Sequence, residues 1–358
     1  MIKKIIFTSG GTGGHIFPAI NLMKHMANKG YEVLIVTDVR GKKFTDNYSE
    51  FKSYILKIER PTNNIITRKL LYYFSIFSST INSIQILKKE KPDLIFGFGG
   101  YASFPISVLS KLFNIPLVIY ENNMILGRAN KYLSLFSKKI LVANNITNLF
   151  SKKHKKKIYK VGNILNKKII NYLGVEKKNE DFFSILVLGG SQGAKIFGEI
   201  IPPVIKMIKD KGHKIKINQQ TLYDQRSKIE DFYIKNNIKN NIFDFNSDIL
   251  KLITSSNLAI TRCGASTTAE LTHTLTPFIA VPLKNSVANH QYLNAEYYEK
   301  NNCCWILEQN NFNTQNLLNL ILNIIENKSK LESASKAMQK IRNQNVYSNI
   351  EKVIGDFN

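Results

Sequence analysis

The feature that most constrains this chain is a repeated unit: a short apolar strand, a glycine-rich loop, then a helix start. Residues Ile5-Ile6-Phe7-Thr8-Ser9-Gly10-Gly11-Thr12-Gly13-Gly14 lay out that order, and Ile185-Leu186-Val187-Leu188-Gly189-Gly190-Ser191-Gln192-Gly193-Ala194 repeats it further along. An apolar run that ends in glycine is the pattern of a parallel strand buried on both faces, turning sharply into a covering helix. Two such openings in 358 residues, too long for one ordinary domain, predict two domains with separate cores.

The same alternation fills the rest of the chain. Apolar runs at 33–36, 94–96, 117–120 and 140–142 join 5–7 in a first sheet, and runs at 215–217, 258–260 and 278–281 join 185–188 in a second. Helix-period segments at 19–28, 103–113, 204–211 and 265–274 lie between them. The expectation is an α/β fold of two doubly wound Rossmann-like domains facing across a cleft, with a ligand at the strand carboxyl ends. The N-terminal domain is expected over 1–161 and the C-terminal domain over 162–340, with the seam in the lysine-rich stretch 151–161. A final helix at about 341–358 is expected to pack back on the first domain.

Lys and Arg number 50 against 26 Asp and Glu, giving a net charge of +24. That excess admits three partners: nucleic acid, an anionic membrane, or an anionic small substrate. Residues 1–161 hold 26 basic and 8 acidic side chains, net +18, so the first half carries the field. Only seven of the 50 basic residues are Arg, the usual reader of base edges, so no nucleic-acid partner is expected. Cys263, Cys303 and Cys304 form no C-x-x-C pair and are too few to staple a chain of this length, which points to a reducing cytosol. Met1-Ile2-Lys3-Lys4 runs straight into the strand pattern, so no signal peptide is expected.

The candidate site residues cluster after the strands. The loop Gly10–Gly14 lacks the Gly-Lys-Ser/Thr of a Walker A motif, and Ile16 stands where a G-x-G-x-x-G fingerprint has its third glycine. The loop Gly189–Gly193 fails the same tests, and a third cluster, Gly97-Phe98-Gly99-Gly100-Tyr101, follows the run at 94–96. Each loop alone reads equally well as a tight turn; two at matching places favour one split ligand site. His15 closes the first loop where an imidazole could take a proton from a hydroxyl, or bond to a helix end. Glu121-Asn122-Asn123 projects from another strand end, as an acid that orients a base, a base itself, or a helix cap. Arg262-Cys263-Gly264-Ala265 opens a helix whose free N–H groups suit phosphate, and Glu270 inside it could accept from two vicinal hydroxyls. His290, Gln291 and Asn294 offer polar groups suited to a sugar, or a hydrated loop. With six scattered histidines, no H-x-x-x-H and no D-x-D, no metal and no cofactor is expected.

Gly10-Gly11-Thr12-Gly13-Gly14-His15, Gly99-Gly100-Tyr101-Ala102-Ser103, Glu121-Asn122-Asn123, Gly189–Ala194, Arg262–Ala265 with Glu270, and His290-Gln291 together resemble, in order and spacing, the MurG family. These are transferases that add N-acetylglucosamine to undecaprenyl-pyrophosphoryl-MurNAc-pentapeptide (lipid I) in peptidoglycan synthesis. The resemblance covers nearly the whole chain and implies a glycosyltransferase B fold with UDP-GlcNAc on the C-terminal domain and lipid I on the N-terminal one. It implies that Glu270 holds the ribose, Phe245 and Asn246 frame the uracil, and Gly190, Ser191, Gln192 and Gly193 meet the diphosphate. Arg262, Gly264 and Ala265 line that pocket, and His290 and Gln291 contact the sugar. Thr12, Gly13, Gly14, His15, Tyr101, Glu121, Asn123 and Asn130 match the acceptor and catalytic side, with the general base left open between His15 and Glu121. Three departures stand out: Asn166 replaces a linker arginine, with Lys167 or Lys168 as substitutes, Tyr120 replaces a frequent His, and His290 a frequent Gln.

The 18 residues between Lys69 and Lys88 carry no formal charge, but Ser, Thr, Asn and Gln fill seven of them, so a transmembrane span is not expected. Leu70, Phe74, Phe77, Ile81, Ile84 and Leu87 recur at helical intervals, and that stripe is expected to face the core. Tyr72, Tyr73 and Ile76 lie off it, and Arg68, Lys69, Lys88, Lys89 and Lys91 flank it, as in an interfacial anchor. Peripheral attachment to the cytoplasmic face of the inner membrane follows as an expectation, with other cell-wall synthesis proteins as further partners. Rival readings are a UDP-sugar 2-epimerase, which needs no lipid acceptor, and a nucleic-acid binder with steep salt dependence.

Overall fold

The structure, a computed structural model, describes residues 2–58, 66–146, 150, 154–173, 181–190, 193–246 and 248–357, the side chains of 66–70 excepted. The chain forms two compact units, Met1–Asn166 with Asn345–Asn358, and Lys167–Gln344.

In the first unit, β1 (Lys4–Thr8), α1 (Gly13–Ala27), β2 (Glu32–Asp38), α2 (Val39–Thr45), β3 (Lys52–Leu56) and α3 (Ile66–Glu90) are followed by β4 (Leu94–Gly97) and α4 (Ser103–Leu109). Then come β5 (Leu117–Glu121), α5 (Arg128–Leu133), β6 (Lys139–Val142) and β7 (Ile158–Lys160). All pairings are parallel, in the order β3-β2-β1-β4-β5-β6-β7. The order reverses between β1 and β4, which register Ile5 against Leu94 and Thr8 against Gly97. At such a switch point the connecting helices leave to opposite faces and open a crevice beyond the strand ends.

The second unit contains α6 (Lys167–Ile170), β8 (Phe183–Leu188), α7 (Lys195–Asp210), β9 (Ile215–Gln220), α8 (Arg226–Lys235), β10 (Lys239–Phe243) and α9 (Ile249–Thr254). It continues with β11 (Leu258–Thr261), α10 (Ala265–His273), β12 (Phe278–Ala280), α11 (His290–Lys300), β13 (Cys304–Ile306), α12 (Thr314–Glu326) and α13 (Lys328–Ile341). Its parallel sheet runs β10-β9-β8-β11-β12-β13, with the switch point between β8 and β11. Along β8, Ile185 and Val187 join one apolar cluster, while Leu186 and Leu188 join another, as alternating side chains of a doubly covered strand must.

The last helix, α14 (Val346–Gly355), lies on the first unit. Tyr347 donates its hydroxyl to the Leu165 carbonyl at 2.7 Å, and its ring sits 4.4 Å from that of buried His25 on α1. His25 Nε2 lies 2.5 Å from Glu351 Oε1, and Lys139 at the start of β6 donates to Val353 O and to Asp356, each at 2.6 Å.

Two expectations are corrected. The stretch 151–161 is not a seam: residues 151–153 lie outside the described residues, and Ile158–Lys160 is the seventh strand of the first sheet. Residues 162–166 stay with that unit because Tyr120 donates its hydroxyl to Gly162 O and accepts from Ile164 N, both at 3.1 Å. The apolar stripe of helix α3 also divides: Ile84 packs against the core and Leu87 is buried in it as expected, but Phe74, Phe77 and Ile81 face outward. Phe74 is 69 % exposed and Phe77 64 %, with Leu71, Tyr73 and Ile81 exposed beside them; Leu70 lies outside the described side chains. The buried face is Ser75, Ser79 and Ser83, whose hydroxyls bond to the carbonyls of Tyr72, Lys57 and Ser79, with Ile86, Leu87 and Glu90 below them. Small side chains that satisfy their own hydroxyls let a helix lie close on its neighbours without apolar bulk.

Candidate active site

At the first switch point the glycine loops after β1 and β4 meet backbone to backbone. Gly10 N donates to Gly99 O at 2.8 Å. A Cβ on Gly10 would come within 2.9 Å of Gly100 Cα, and one on Gly100 within 2.7 Å of Gly10 Cα, so neither position admits a side chain. Gly99 and Gly100 hold φ of 82° and 81°, conformations that disfavour other residues. Gly14, in the first turn of α1, differs: a Cβ there would meet no atom within 4 Å. A glycine in a helix costs about 0.5–1 kcal/mol relative to alanine, so a glycine with no packing reason leaves room for something outside the chain.

Thr12 takes the N-cap position of α1 without capping it by its side chain. His15 stands half-buried one turn in, its amide bonded to Thr12 O, and its Cδ2 is 3.5 Å from where a Gly100 Cβ would lie. From the end of β5, Asn122 Nδ2 donates to Gly14 O at 2.7 Å and ties a third strand end to this edge.

Glu121 is 1 % exposed, and its carboxylate is fully engaged. Oε1 accepts from the backbone and side-chain nitrogens of Asn123 at 3.1 and 2.9 Å; Oε2 accepts from Gly127 N at 2.8 Å and Asn130 Nδ2 at 3.0 Å. Gly127 is the N-cap of α5, so the carboxylate also caps that helix. Asn130 donates a second time, to Tyr120 O, and sits against the Gly99 position. Tyr101 lies half-buried directly after the Gly99–Gly100 turn.

At the second switch point, Gly190 and Gly193 hold φ of 80° and 70°, and Gly193 N donates to Gly190 O; Ser191 and Gln192 lie outside the described residues. Gln220, at the end of β9, accepts from Gly189 N at 3.1 Å and donates to Asp244 O at 3.0 Å, fixing the loop's start. A Cβ would meet no atom within 4 Å at Gly190 or at Gly264, the N-cap of α10, which with Ala265 begins the helix. Both glycines leave backbone N–H groups open to an anion.

Arg262 is buried, its guanidinium bonded to Val281 O at 3.0 Å and stacked 5.0 Å from the Phe197 ring. Burial lowers its pKa, and among the described residues no carboxylate pairs with it. Glu270, on α10, receives no side-chain hydrogen bond among the described residues, and burial pushes its carboxyl up to about 7. Phe245 is 64 % exposed beyond β10, and Asn246 Oδ1 accepts from Asp248 N.

Gln291 is partly committed: its Oε1 accepts from Cys263 N and Leu283 N, stapling the loops after β11 and β12 and leaving its NH₂ group as a donor. Asn294 is buried and donates to Cys263 O, so it braces the same loop. His290 opens α11 with Nδ1 2.9 Å from Val287 O. Lys167 and Lys168 are exposed on α6. Sequence reasoning missed Gln220 as a brace for the glycine loop and passed over Asn122 as a side chain; a polar residue ending an apolar strand was the available signal in both.

The chain matches the model of the glycosyltransferase family 28 N-terminal domain over residues 5–142 and of the family 28 C-terminal domain over 184–350. It is 38% identical, over 99% of its length and 100% of the relative's, to the UDP-N-acetylglucosamine–N-acetylmuramyl-(pentapeptide) pyrophosphoryl-undecaprenol N-acetylglucosamine transferase of Rickettsia canadensis. To the protein of the same name from Pelagibacter ubique it is 36% identical over 100% of its length and 99% of the relative's. The crystal structure of Acinetobacter baumannii MurG superposes with a TM-score of 0.80 at 25% identity, covering 99% of this chain and 100% of that one.

Proposed function

The chain belongs to glycosyltransferase family 28, and on that premise we propose that it moves N-acetylglucosamine from UDP-GlcNAc to the 4-hydroxyl of undecaprenyl-pyrophosphoryl-MurNAc-pentapeptide, turning lipid I into lipid II in peptidoglycan synthesis. The observation that carries this reading is a full-length likeness to relatives named for that transfer, joined to two glycine-rich switch points. Cell-shape and cell-division roles follow from supplying that precursor.

The second unit holds the donor in this reading. Glu270 accepts from the ribose hydroxyls, Phe245 and Asn246 frame the uracil, and the Gln291 amide donates to the sugar beside His290. The diphosphate is met by the glycine loop at Gly190 and Gly193, by the α10 N-terminus at Gly264 and Ala265, and by the buried charge of Arg262. A cation with no carboxylate partner and open helix-terminal N–H groups suit the charge that grows on departing UDP. Ser191 and Gln192 are assigned to the same diphosphate by resemblance.

The first unit holds the acceptor along Thr12, Gly13, Gly14, Tyr101 and Asn123. His15 takes the proton from the MurNAc 4-hydroxyl as its oxygen attacks the anomeric carbon from the face opposite the leaving diphosphate, so one C–O bond forms as the other breaks and the anomeric configuration inverts. The four donors on the Glu121 carboxylate support His15 over Glu121 as that base, with Glu121 holding Asn123 and Asn130 in place.

We also propose peripheral binding to the cytoplasmic face of the inner membrane, where UDP-sugars and the acceptor's headgroup meet. No helix among the described residues is long and apolar enough to cross a membrane. Right-handed crossovers carry α3, α4 and α5 to one face of the sheet, where α3 packs on α4 and α4 on α5. Leu71, Tyr73, Phe74 and Phe77 are exposed there, with Leu112, Tyr132, Leu135 and Phe136 farther along, among Lys88, Lys89, Lys111, Lys131 and Lys138. Exposed apolar side chains among lysines suit an anionic lipid surface, with other cell-wall synthesis proteins as neighbours. The test is UDP release from UDP-GlcNAc with and without a short-chain lipid I analogue. Release only with the analogue supports the transferase; release without it, or conversion of the sugar to its 2-epimer, sinks the reading.

A further inference from the structure

Tyr72 stands between two surfaces that the proposed reaction would need together. On one side its ring lies 5.5 Å from that of Tyr73, which is 66 % exposed with Leu71, Phe74 and Phe77 on the outward face of α3. On the other, Tyr101 meets it edge-on, with centroids 6.3 Å apart and planes at 84°. Tyr72 itself is half-buried, and its phenol is pushed up by that burial and by the phenols of Tyr101 and Tyr73. Among the described residues this is the one aromatic contact between α3 and the edge that carries His15.

The Gly99–Gly100 turn ahead of Tyr101 needs such a contact. Two consecutive glycines at positive φ have more conformational freedom than any other pair, so their position is set by what they touch. Gly10 N holds Gly99 O, and Ser103 holds Gly100 O at 2.9 Å; both grip the backbone, and neither grips the Tyr101 side chain. The Tyr72 ring does.

We propose that Tyr72 is a positioning residue for acceptor use: its ring braces Tyr101, and through Tyr101 the Gly99–Gly100 turn beside His15, so that the helix meeting the lipid surface also orders the loop meeting the acceptor. The proposal rests on the reading of the first unit as the acceptor side. The brace is the ring and not the hydroxyl, so phenylalanine replaces it and alanine does not.

The experiment compares the full-length protein with Tyr72→Ala and Tyr72→Phe, using UDP-GlcNAc and a short-chain lipid I analogue in solution. An edge-to-face aromatic pair at this geometry corresponds to about a three- to tenfold effect, so Tyr72→Ala should raise the KM for the analogue by that factor. UDP-GlcNAc affinity should stay within about twofold, and Tyr72→Phe should restore the acceptor KM. The Tyr101 ring resonance of tyrosine-labelled protein should shift and sharpen in Tyr72→Ala as the ring is freed. An unchanged Tyr101 resonance overturns the proposal whether or not the protein has activity, and so does an unchanged acceptor KM. Equal losses of acceptor and UDP-GlcNAc binding overturn it as well, by pointing to general loosening. If wild type makes no product while the Tyr101 resonance still responds, the functional reading has failed and the brace stands.

Discussion

Arg262 is buried and Glu270 partly so, and in the proposed reading each makes a different demand on the donor. The Glu270 carboxyl, pushed up to about 7 by burial, is only partly ionised at neutral pH, and the ribose of the proposed donor would bond more strongly to its ionised form. UDP-GlcNAc does not itself titrate near neutrality, so its affinity should fall about tenfold from about pH 8 to about pH 6, measured by calorimetry. Glu270→Gln should flatten that profile. The sign for stability is the reverse: a carboxyl raised on folding binds protons that the unfolded chain has released, so this stabilisation is present at low pH and lost as pH rises through about 7. The thermal shift produced by UDP-GlcNAc should therefore grow from acid to alkali. For the other half of the reaction, His15→Ala should lower turnover by about 10²- to 10⁴-fold and leave UDP-GlcNAc affinity within about twofold; equal losses in both would mark His15 as structural. The positions of Arg262, after β11, and of Glu270, inside α10, were legible because a strand end that opens a helix marks both. The engagement of Glu121 was not, since Gly127 and Asn130 reach it only once α5 folds back.

At the scale of elements, the strands that sequence reading missed are β3, β7, β10 and β13, which are the two edges of each sheet. Their sequences, Lys-Ser-Tyr-Ile-Leu, Ile-Tyr-Lys, Lys-Asn-Asn-Ile-Phe and Cys-Trp-Ile, are short or polar, because an edge strand is covered less completely than a central one. Central strands had to be apolar on both faces and were therefore readable. The first half of the α3 stripe was misread for a related reason: periodicity finds an apolar stripe but does not say how much of it the protein covers, and cover ends at Ile84 and Leu87. Replacing Phe74 and Phe77 together by Ser should weaken binding to anionic vesicles by about tenfold or more, while the melting temperature holds, because neither ring is buried. A matching fall in melting temperature would return those rings to the core. Helix α14 makes the opposite prediction. Tyr347 is buried and bonded to Leu165 O, so Tyr347→Ala should cost about 3 kcal/mol in denaturant unfolding of the first unit.

For the molecule as a whole, the strand–glycine–helix repeat was enough to give two parallel doubly wound sheets, and both glycine loops fall at the place where strand order reverses. The net charge of +24 reads differently once divided: most of it lies in the unit whose exposed aromatic helix is set among lysines. Which hydroxyl is glycosylated is decided by groups that touch the acceptor, and no pattern of periodicity or charge carries that information. The central claim is therefore tested most directly on the product. The protein should be incubated with UDP-GlcNAc labelled with ¹³C at the anomeric carbon and a short-chain lipid I analogue, and the product analysed by mass spectrometry and NMR. The account predicts one added N-acetylhexosamine, linked to the MurNAc 4-oxygen with the β-anomeric coupling that inversion of an α-linked donor requires. An α-linked product, or label confined to free sugar or to an epimerised nucleotide, would contradict it.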